Sequence, residues 1–184
     1  MKKSFFVDRF IAHRGASGIA PENTIASISK AKQNGSSWVE IDVRLSKDDK
    51  LVVFHDSSLN RIANINNLVK DCCLIDLKKI DVGSWFDIKF RNEKIPTLLE
   101  VIKYCEENKM NLNIEIKTDS VCSKFVATKV QEILNKCRNS KIHFIVSSFD
   151  LVCMGLIKER KNLVKMPLIE EIKYLDNLDL QLQG

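Results

Sequence analysis

The sequence predicts an α/β protein: a TIM-type parallel β/α barrel that is incomplete, with about six of the usual eight strands. Three observations carry this expectation. Short β-rich runs alternate with helical patterns, the order that βαβ units and parallel sheets require. His13, Glu40, Asp42, His55, Glu115, Lys117 and Ser147 fall at or near the ends of predicted strands. Such placement fits the rim of a barrel better than the single switch point of an open doubly wound sheet. Finally, the 184 residues stop after a sixth strand, whereas a complete barrel takes ~250 residues.

The first predicted strand is Phe10-Ile11-Ala12, which runs into His13-Arg14-Gly15. A helix follows over Glu22–Gln33, with Pro21 near its start, Asn23 or Thr24 as cap and Asn34-Gly35 at its end. Trp38–Leu45 is a second strand and Leu51–Phe54 a third, ending at His55-Asp56. Residues 57–94 are irregular apart from a short helix at Leu74–Ile80. Pro96 and Thr97 open a helix that runs to Asn108. Asn111–Ile116 is a fourth strand, Ser120–Cys137 a long amphipathic helix, Ile142–Val146 a fifth strand and Asp150–Glu159 a helix. Leu163–Leu168 is the sixth strand, with Pro167 limiting its end. No repeat or low-complexity linker divides the chain, so residues 1–184 read as one domain with a small insertion around 57–95.

A hydrophobic content of 45% excludes a disordered chain. The net charge of +5 is dispersed, with no block of like charges, so it suits an anionic small substrate or an ordinary solvated surface. Without a basic stripe interleaved with aromatics, no nucleic-acid partner is expected. Cys72, Cys73, Cys105, Cys122, Cys137 and Cys153 form no CxxC pair, which argues against a zinc knuckle or a dithiol redox motif and fits a reducing cytoplasm. Asp8 and Arg9 interrupt the N-terminal apolar run before it reaches signal-peptide length. No stretch approaches the ~20 apolar residues of a membrane span, so a soluble, cytoplasmic protein without stable membrane insertion is expected.

Glu40-Ile41-Asp42 is the first chemical clue. Alternate strand residues share a face, so both carboxylates project together and Val39, Ile41 and Val43 project the other way. Adjacent carboxylates repel, and burying them requires a cation or a proton. Glu115 and Lys117 share a face in the same manner. Three carboxylates meeting at one barrel mouth make an oxygen-rich site for Mg²⁺ or Ca²⁺. Each motif alone also describes a solvated strand edge or a simple ion pair. The histidines sharpen the reading. His13 precedes Arg14-Gly15 and His55 precedes Asp56, both at strand ends, while His143 lies inside a strand with no carboxylate neighbour and is assigned no role. Arg14 offers a planar fork to a phosphate. Two imidazoles, three carboxylates on a cation, Arg14 and Lys117 together supply what phosphodiester cleavage needs.

The ordered segments Ile11-Ala12-His13-Arg14-Gly15, Ala20-Pro21-Glu22-Asn23-Thr24, Val39-Glu40-Ile41-Asp42-Val43 and Val53-Phe54-His55-Asp56 resemble the glycerophosphodiester phosphodiesterase family. So do Asp81-Val82-Gly83-Ser84-Trp85-Phe86, Ile95-Pro96-Thr97-Leu98, Asn113-Ile114-Glu115-Ile116-Lys117 and Val146-Ser147-Ser148-Phe149-Asp150. The resemblance implies hydrolysis of glycerophosphodiesters to glycerol 3-phosphate and an alcohol. It implies His13 and His55 as the acid/base pair, Glu40, Asp42 and Glu115 as ligands of a divalent cation, and Arg14 and Lys117 as phosphate contacts. Glu22 falls in the first active-site loop, where a helix start is an equal reading, and Trp85 in the insertion that shapes the pocket, where packing is an equal reading. Two departures stand out: Ile62-Ala63-Asn64-Ile65 replaces a Thr and Gly-containing turn, and two further strands are missing at the end. An open sheet edge is expected, which a second copy of the chain could cover. The alternative is an inactive remnant or a phosphodiester-binding module of the same fold.

Overall fold

The structure, a computed structural model, describes residues 7–118 and 122–169. The predicted N-terminal run over 1–6, the first residues of the helix predicted from Ser120, and residues 170–184 lie outside the described residues. Eight consecutive buried residues make up β1 (Trp38–Leu45), a pattern that requires cover on both faces of the strand. After it come β2 (Leu51–Val53), β3 (Asn111–Ile116), β4 (Phe144–Ser148) and β5 (Leu163–Pro167). They form one sheet in the order β2-β1-β3-β4-β5, parallel from β1 through β5. The sheet does not close on itself among the described residues.

The helices between the strands begin where the caps dictate. Thr24 accepts from the Ser27 backbone N–H at 3.1 Å and caps α1 (Ile25–Gln33). After α2 (Asn60–Ala63) and α3 (Leu74–Leu77), Thr97 and Glu100 cap α4 (Leu98–Glu107) reciprocally. Asp150 accepts from the Cys153 N–H at 2.9 Å to cap α6 (Leu151–Leu156), which follows α5 (Ser123–Lys136). One core joins Val39, Ile41, Leu112, Ile114, Phe144 and Val146 of the sheet to Ile28, Val101, Val126 and Val130 of the helices. A smaller core under the insertion gathers Val52, Phe54, Leu59, Ile62, Leu77 and Ile95. No helix among the described residues is long and apolar enough to cross a membrane.

Several expectations need correction. Phe10-Ile11-Ala12 is not a strand: only Ala12 bridges Val39, and Phe10 is exposed. Arg14 (φ 55°) and Gly15 (φ 78°) turn the chain at once, so the ladder cannot extend. The strand ending at His55 is antiparallel to β1, not parallel, because residues 46–50 are too few for a crossover and close a hairpin instead. His55 thus reaches the rim by running back down β1, with the Phe54 N–H donating to the Asp42 carbonyl at 3.0 Å. The first helix starts at Ile25, leaving Glu22 in a turn, and β4 starts at Phe144, leaving His143 before it. Where the altered loop was expected, Asn64 ends α2 in the left-handed region (φ 55°), a conformation asparagine tolerates better than most side chains.

Candidate active site

The parallel register between β1 and β3 sets Asp42 beside Glu115 and Glu40 beside Asn113. Since Glu40 and Asp42 are two residues apart, both face the side of the sheet away from the helical core. The outcome is a cluster of Glu40, Asp42 and Glu115 whose ligand atoms lie within 4.8 Å of one another. Glu40 is 6% and Asp42 1% exposed. Burial, followed by the charge of Asp42, pushes the Glu40 carboxyl up to about 8; Glu115 adds to this and the Arg14 backbone N–H opposes it. Glu40 Oε1 is buried and has no hydrogen-bond partner among the described residues. Crowded carboxylates with an unsatisfied oxygen fit a hard divalent cation, which takes oxygen ligands.

The loop over residues 13–24 wraps this cluster. Its reversal at Arg14 and Gly15 aims the Arg14 backbone N–H at Glu40 Oε2, 2.8 Å away. The Arg14 side chain reaches Glu22 Oε1 through Nη1 at 3.2 Å and Asp42 Oδ2 through Nε at 3.4 Å. Asn23, also left-handed (φ 57°), grips Asp42 at both ends: its Nδ2 donates to Oδ2 at 2.8 Å, and its Oδ1 accepts from the Asp42 N–H at 3.1 Å. Lys117 sits 3.1 Å from Asp42 Oδ1 and also pairs with Glu115. Both predicted phosphate contacts, Arg14 and Lys117, therefore engage carboxylates in this structure.

His13 Nε2 stands 3.9 Å from Glu40 Oε2, with its side chain largely exposed. His55 Nδ1 lies 2.6 Å from Asp56 Oδ1, and the His55 carbonyl accepts from Arg44 Nε at 2.7 Å. Behind it, Arg61 holds two carboxylates at once. It donates to Asp56 through Nε (2.6 Å) and Nη2 (3.1 Å), and to Glu22 through Nη2 (2.7 Å) and Nη1 (3.0 Å). Its guanidinium carbon is 6.0 Å from the Trp85 ring centroid, and Trp85 Nε1 donates to the Val82 carbonyl at 2.9 Å. Burial favours the neutral form of Asp56, yet Arg61 and His55 outweigh it and hold the carboxyl at about 2. Burial likewise opposes the Glu22 charge, and Arg61 and Arg14 again prevail, keeping it below the usual carboxylate range.

Thus every residue singled out in the sequence reaches one region: Glu40, Asp42 and Glu115 at the centre, His13, Arg14, Lys117 and Glu22 in contact with them or with each other, and His55 and Trp85 through Asp56 and Arg61. Arg44, Asp56 and Arg61 carry no role in the sequence reading, and Asn23 enters it only as a helix cap or as part of the first active-site loop. For its grip on Asp42, the left-handed preference of asparagine is a further signal. For Arg61, contact with Glu22 across 39 positions leaves no local pattern to read.

Comparison with known proteins places the chain in a family. Residues 13–181 match the model of the Glycerophosphoryl diester phosphodiesterase family. A glycerophosphodiester phosphodiesterase of Caldanaerobacter subterraneus subsp. tengcongensis is 38% identical over 159 residues, covering 86% of this chain and 65% of that protein. This chain therefore spans just under two thirds of that relative's length. A Bacillus subtilis glycerophosphodiester phosphodiesterase is 43% identical over 100 residues, 50% of this chain and 34% of the relative. Among solved structures, an Oleispira antarctica phosphodiesterase in complex with the product sn-glycerol-3-phosphate superposes with a TM-score of 0.81 at 36% identity, covering 92% of this chain and 71% of that one. A Thermotoga maritima glycerophosphodiester phosphodiesterase superposes with a TM-score of 0.69 at 30% identity, covering 94% and 68%. These likenesses identify the open sheet as part of a TIM-barrel fold. With the family pattern running from His13 past β5 on a matching fold, the chain belongs to the glycerophosphoryl diester phosphodiesterase family.

Proposed function

We propose that the protein is a metal-dependent phosphodiesterase that hydrolyses glycerophosphodiesters to glycerol 3-phosphate and an alcohol. The observation that carries this reading is the cluster of buried Glu40 and Asp42 with half-buried Glu115, rimmed by His13 and by Arg14 and Lys117. The sn-glycerol-3-phosphate held by the Oleispira structure supports the substrate class. Glu40, Asp42 and Glu115 would hold Mg²⁺ or Ca²⁺, which when bound supplies charge neutralisation at the phosphoryl oxygens. Arg14 and Lys117, which stand among these carboxylates, would contact the phosphate oxygens of a bound substrate. One of His13 and His55 removes a proton from the attacking oxygen as it bonds to phosphorus, and the other protonates the alkoxide released as the P–O bond to the alcohol breaks; where a substrate hydroxyl attacks first, water then opens the cyclic phosphate with the same two groups, so either route consumes one water. Release of glycerol 3-phosphate from a panel of glycerophosphodiesters, with and without added cation, tests the reading. Folded, cation-binding protein that releases none from any of them sinks it and leaves a binding module.

Arg61 and Asp56 set the working form of His55. An acceptor at Nδ1 places the neutral imidazole's proton there and leaves Nε2 as base. Asp56→Asn and Arg61→Gln should each lower turnover at least about tenfold. In ¹⁵N spectra of the His55 ring, each should shift the tautomer population toward Nε2–H. Wild-type ring signals and turnover in both variants would remove Asp56 and Arg61 from the mechanism.

We place this activity in a reducing cytoplasm, in keeping with the free cysteines among the described residues. Cys105 and Cys153 are buried, which pushes each thiol up to about 12, and burial raises Cys72 and Cys137 too, so none of these four is poised as a thiolate. Cys72→Ser and Cys137→Ser are expected to leave turnover unchanged; loss from a variant with an unaltered circular dichroism spectrum would assign a thiol to the chemistry.

A further inference from the structure

The amino ends of β4 and β5, at the opposite end of these strands from Ser147 and its neighbour Glu115, carry a second concentration of charge. A cavity of about 570 Å³ opens there between residues 138–143 and 160–162. Arg138, Lys141, Arg160 and Lys161 line it together with His143 and Ser140, and no carboxylate does. Among the described residues, none of those four cations forms an ion pair. Exposed lysines and arginines usually find such partners or lie apart; here four converge on one concavity.

The frame around the cavity is built rather than incidental. Asn162 ties the two segments together, its Nδ2 donating to the carbonyls of Ser140 and Ile142, both at 3.1 Å. The Phe144 N–H donates to the Asn162 carbonyl at 2.8 Å, which anchors the frame to β4. Arg160 is held in turn, with Nε donating to Asn162 Oδ1 and Nη2 to the Leu134 carbonyl, each at 2.9 Å. Ser140 Oγ is buried and has no hydrogen-bond partner among the described residues. A half-buried guanidinium fixed beside three other cations, with an unused hydroxyl at hand, is an arrangement that an anion with several oxygens completes. Burial and the charge of Arg138 both weigh against the Arg160 cation, and the charge of a bound anion offsets them.

We infer that this cavity is a binding site for a multivalent phosphate anion, separate from the carboxylate site and assigned by none of the family's motifs quoted above. Its source is either a soluble phosphate compound or a phosphate headgroup at a lipid surface. A carboxylate carries one charge on two oxygens and cannot engage four cations at once, whereas a diphosphate can.

Pyrophosphate is the probe for the soluble source and vesicles of phosphatidylcholine doped with phosphatidic acid for the lipid source. Both are applied to the full chain in EDTA, so that a cation at Glu40, Asp42 and Glu115 cannot contribute. Saturable binding is expected in at least one arm, with amide shifts at 138–143 and 160–162 in NMR spectra. The exposed pair Lys141→Gln with Lys161→Gln should weaken it at least about tenfold, while Lys141→Arg with Lys161→Arg should retain it. Binding of pyrophosphate alone identifies a soluble ligand, and binding of vesicles identifies the headgroup. No saturable binding in either arm, or equal affinity in the folded glutamine double variant, overturns the site. Shifts confined to residues 13–15, 40–44 and 115–117 overturn it as well, by assigning the anion to the carboxylate site.

Discussion

Replacing His13 or His55 by alanine is expected to lower glycerol 3-phosphate release from glycerophosphocholine by about 10²-fold or more, the usual contribution of a positioned acid or base. The two histidines are held differently. His13 sits 3.9 Å from Glu40 on an exposed turn, fixed by the left-handed backbone at Arg14 that also directs the Arg14 N–H to Glu40. His55 is anchored twice, by Asp56 at its ring and by Arg44 at its carbonyl. Loss of either ring leaves the carboxylate cluster and its cations in place, so substrate affinity should change less than turnover. A variant with a raised KM and an intact kcat would make that histidine a binding group. An effect of about tenfold or less at both positions would dismiss them as the acid/base pair.

Chelation should have an effect as large. EDTA is expected to abolish turnover, and Mg²⁺ or Ca²⁺ to restore it, because the oxygens of Glu40, Asp42 and Glu115 converge on one spot and Glu40 Oε1 has no hydrogen-bond partner among the described residues. The pH dependence gives an independent readout. Glu40 is raised from its ordinary value of 4.5 to about 8 in the folded protein. For an acid shifted upward, the folded state keeps its full relative stability below the ordinary value and loses it as pH climbs toward the raised one. The chelated protein should therefore melt at a lower temperature at pH 8 than at pH 5. Divalent cation should raise the melting temperature by several degrees at pH 8, about 2 to 3 kcal/mol at saturating cation. At pH 5 the gain should be smaller, since binding there must displace a proton. Identical melting curves with and without cation at both pH values, and full activity in EDTA, would remove the metal from the reading.

Much of this site was legible before any coordinates. Glu40 and Asp42 share a face because the strand repeats every two residues, and the same alternation relates Glu115 to Lys117. Thr97 as a helix cap was readable for a similarly local reason. The direction of β2 is also local information, although the expectation of parallel strands runs against it: residues 46–50 are long enough for a hairpin and too short for the crossover that a parallel neighbour demands. Glu22 looked like a helix start because proline and capping residues surround it. Thr24, one of the two caps that the sequence offers, starts the helix at Ile25, which leaves Glu22 outside it to meet Arg14 and Arg61.

By itself, then, the sequence determined the alternation of strands and helices, the faces on which acidic side chains stand, and the family to which the pattern points. These follow from backbone pleat, capping and residue preference, which act over a few positions. Tertiary structure alone decided that Asp42 stands beside Glu115, that Asn23 grips Asp42, and that Arg61 joins Asp56 to Glu22. Each of these joins residues far apart in the chain through strand register or loop packing. Register is settled when the apolar faces of neighbouring strands bury together on the helices, and no short stretch of sequence contains that information.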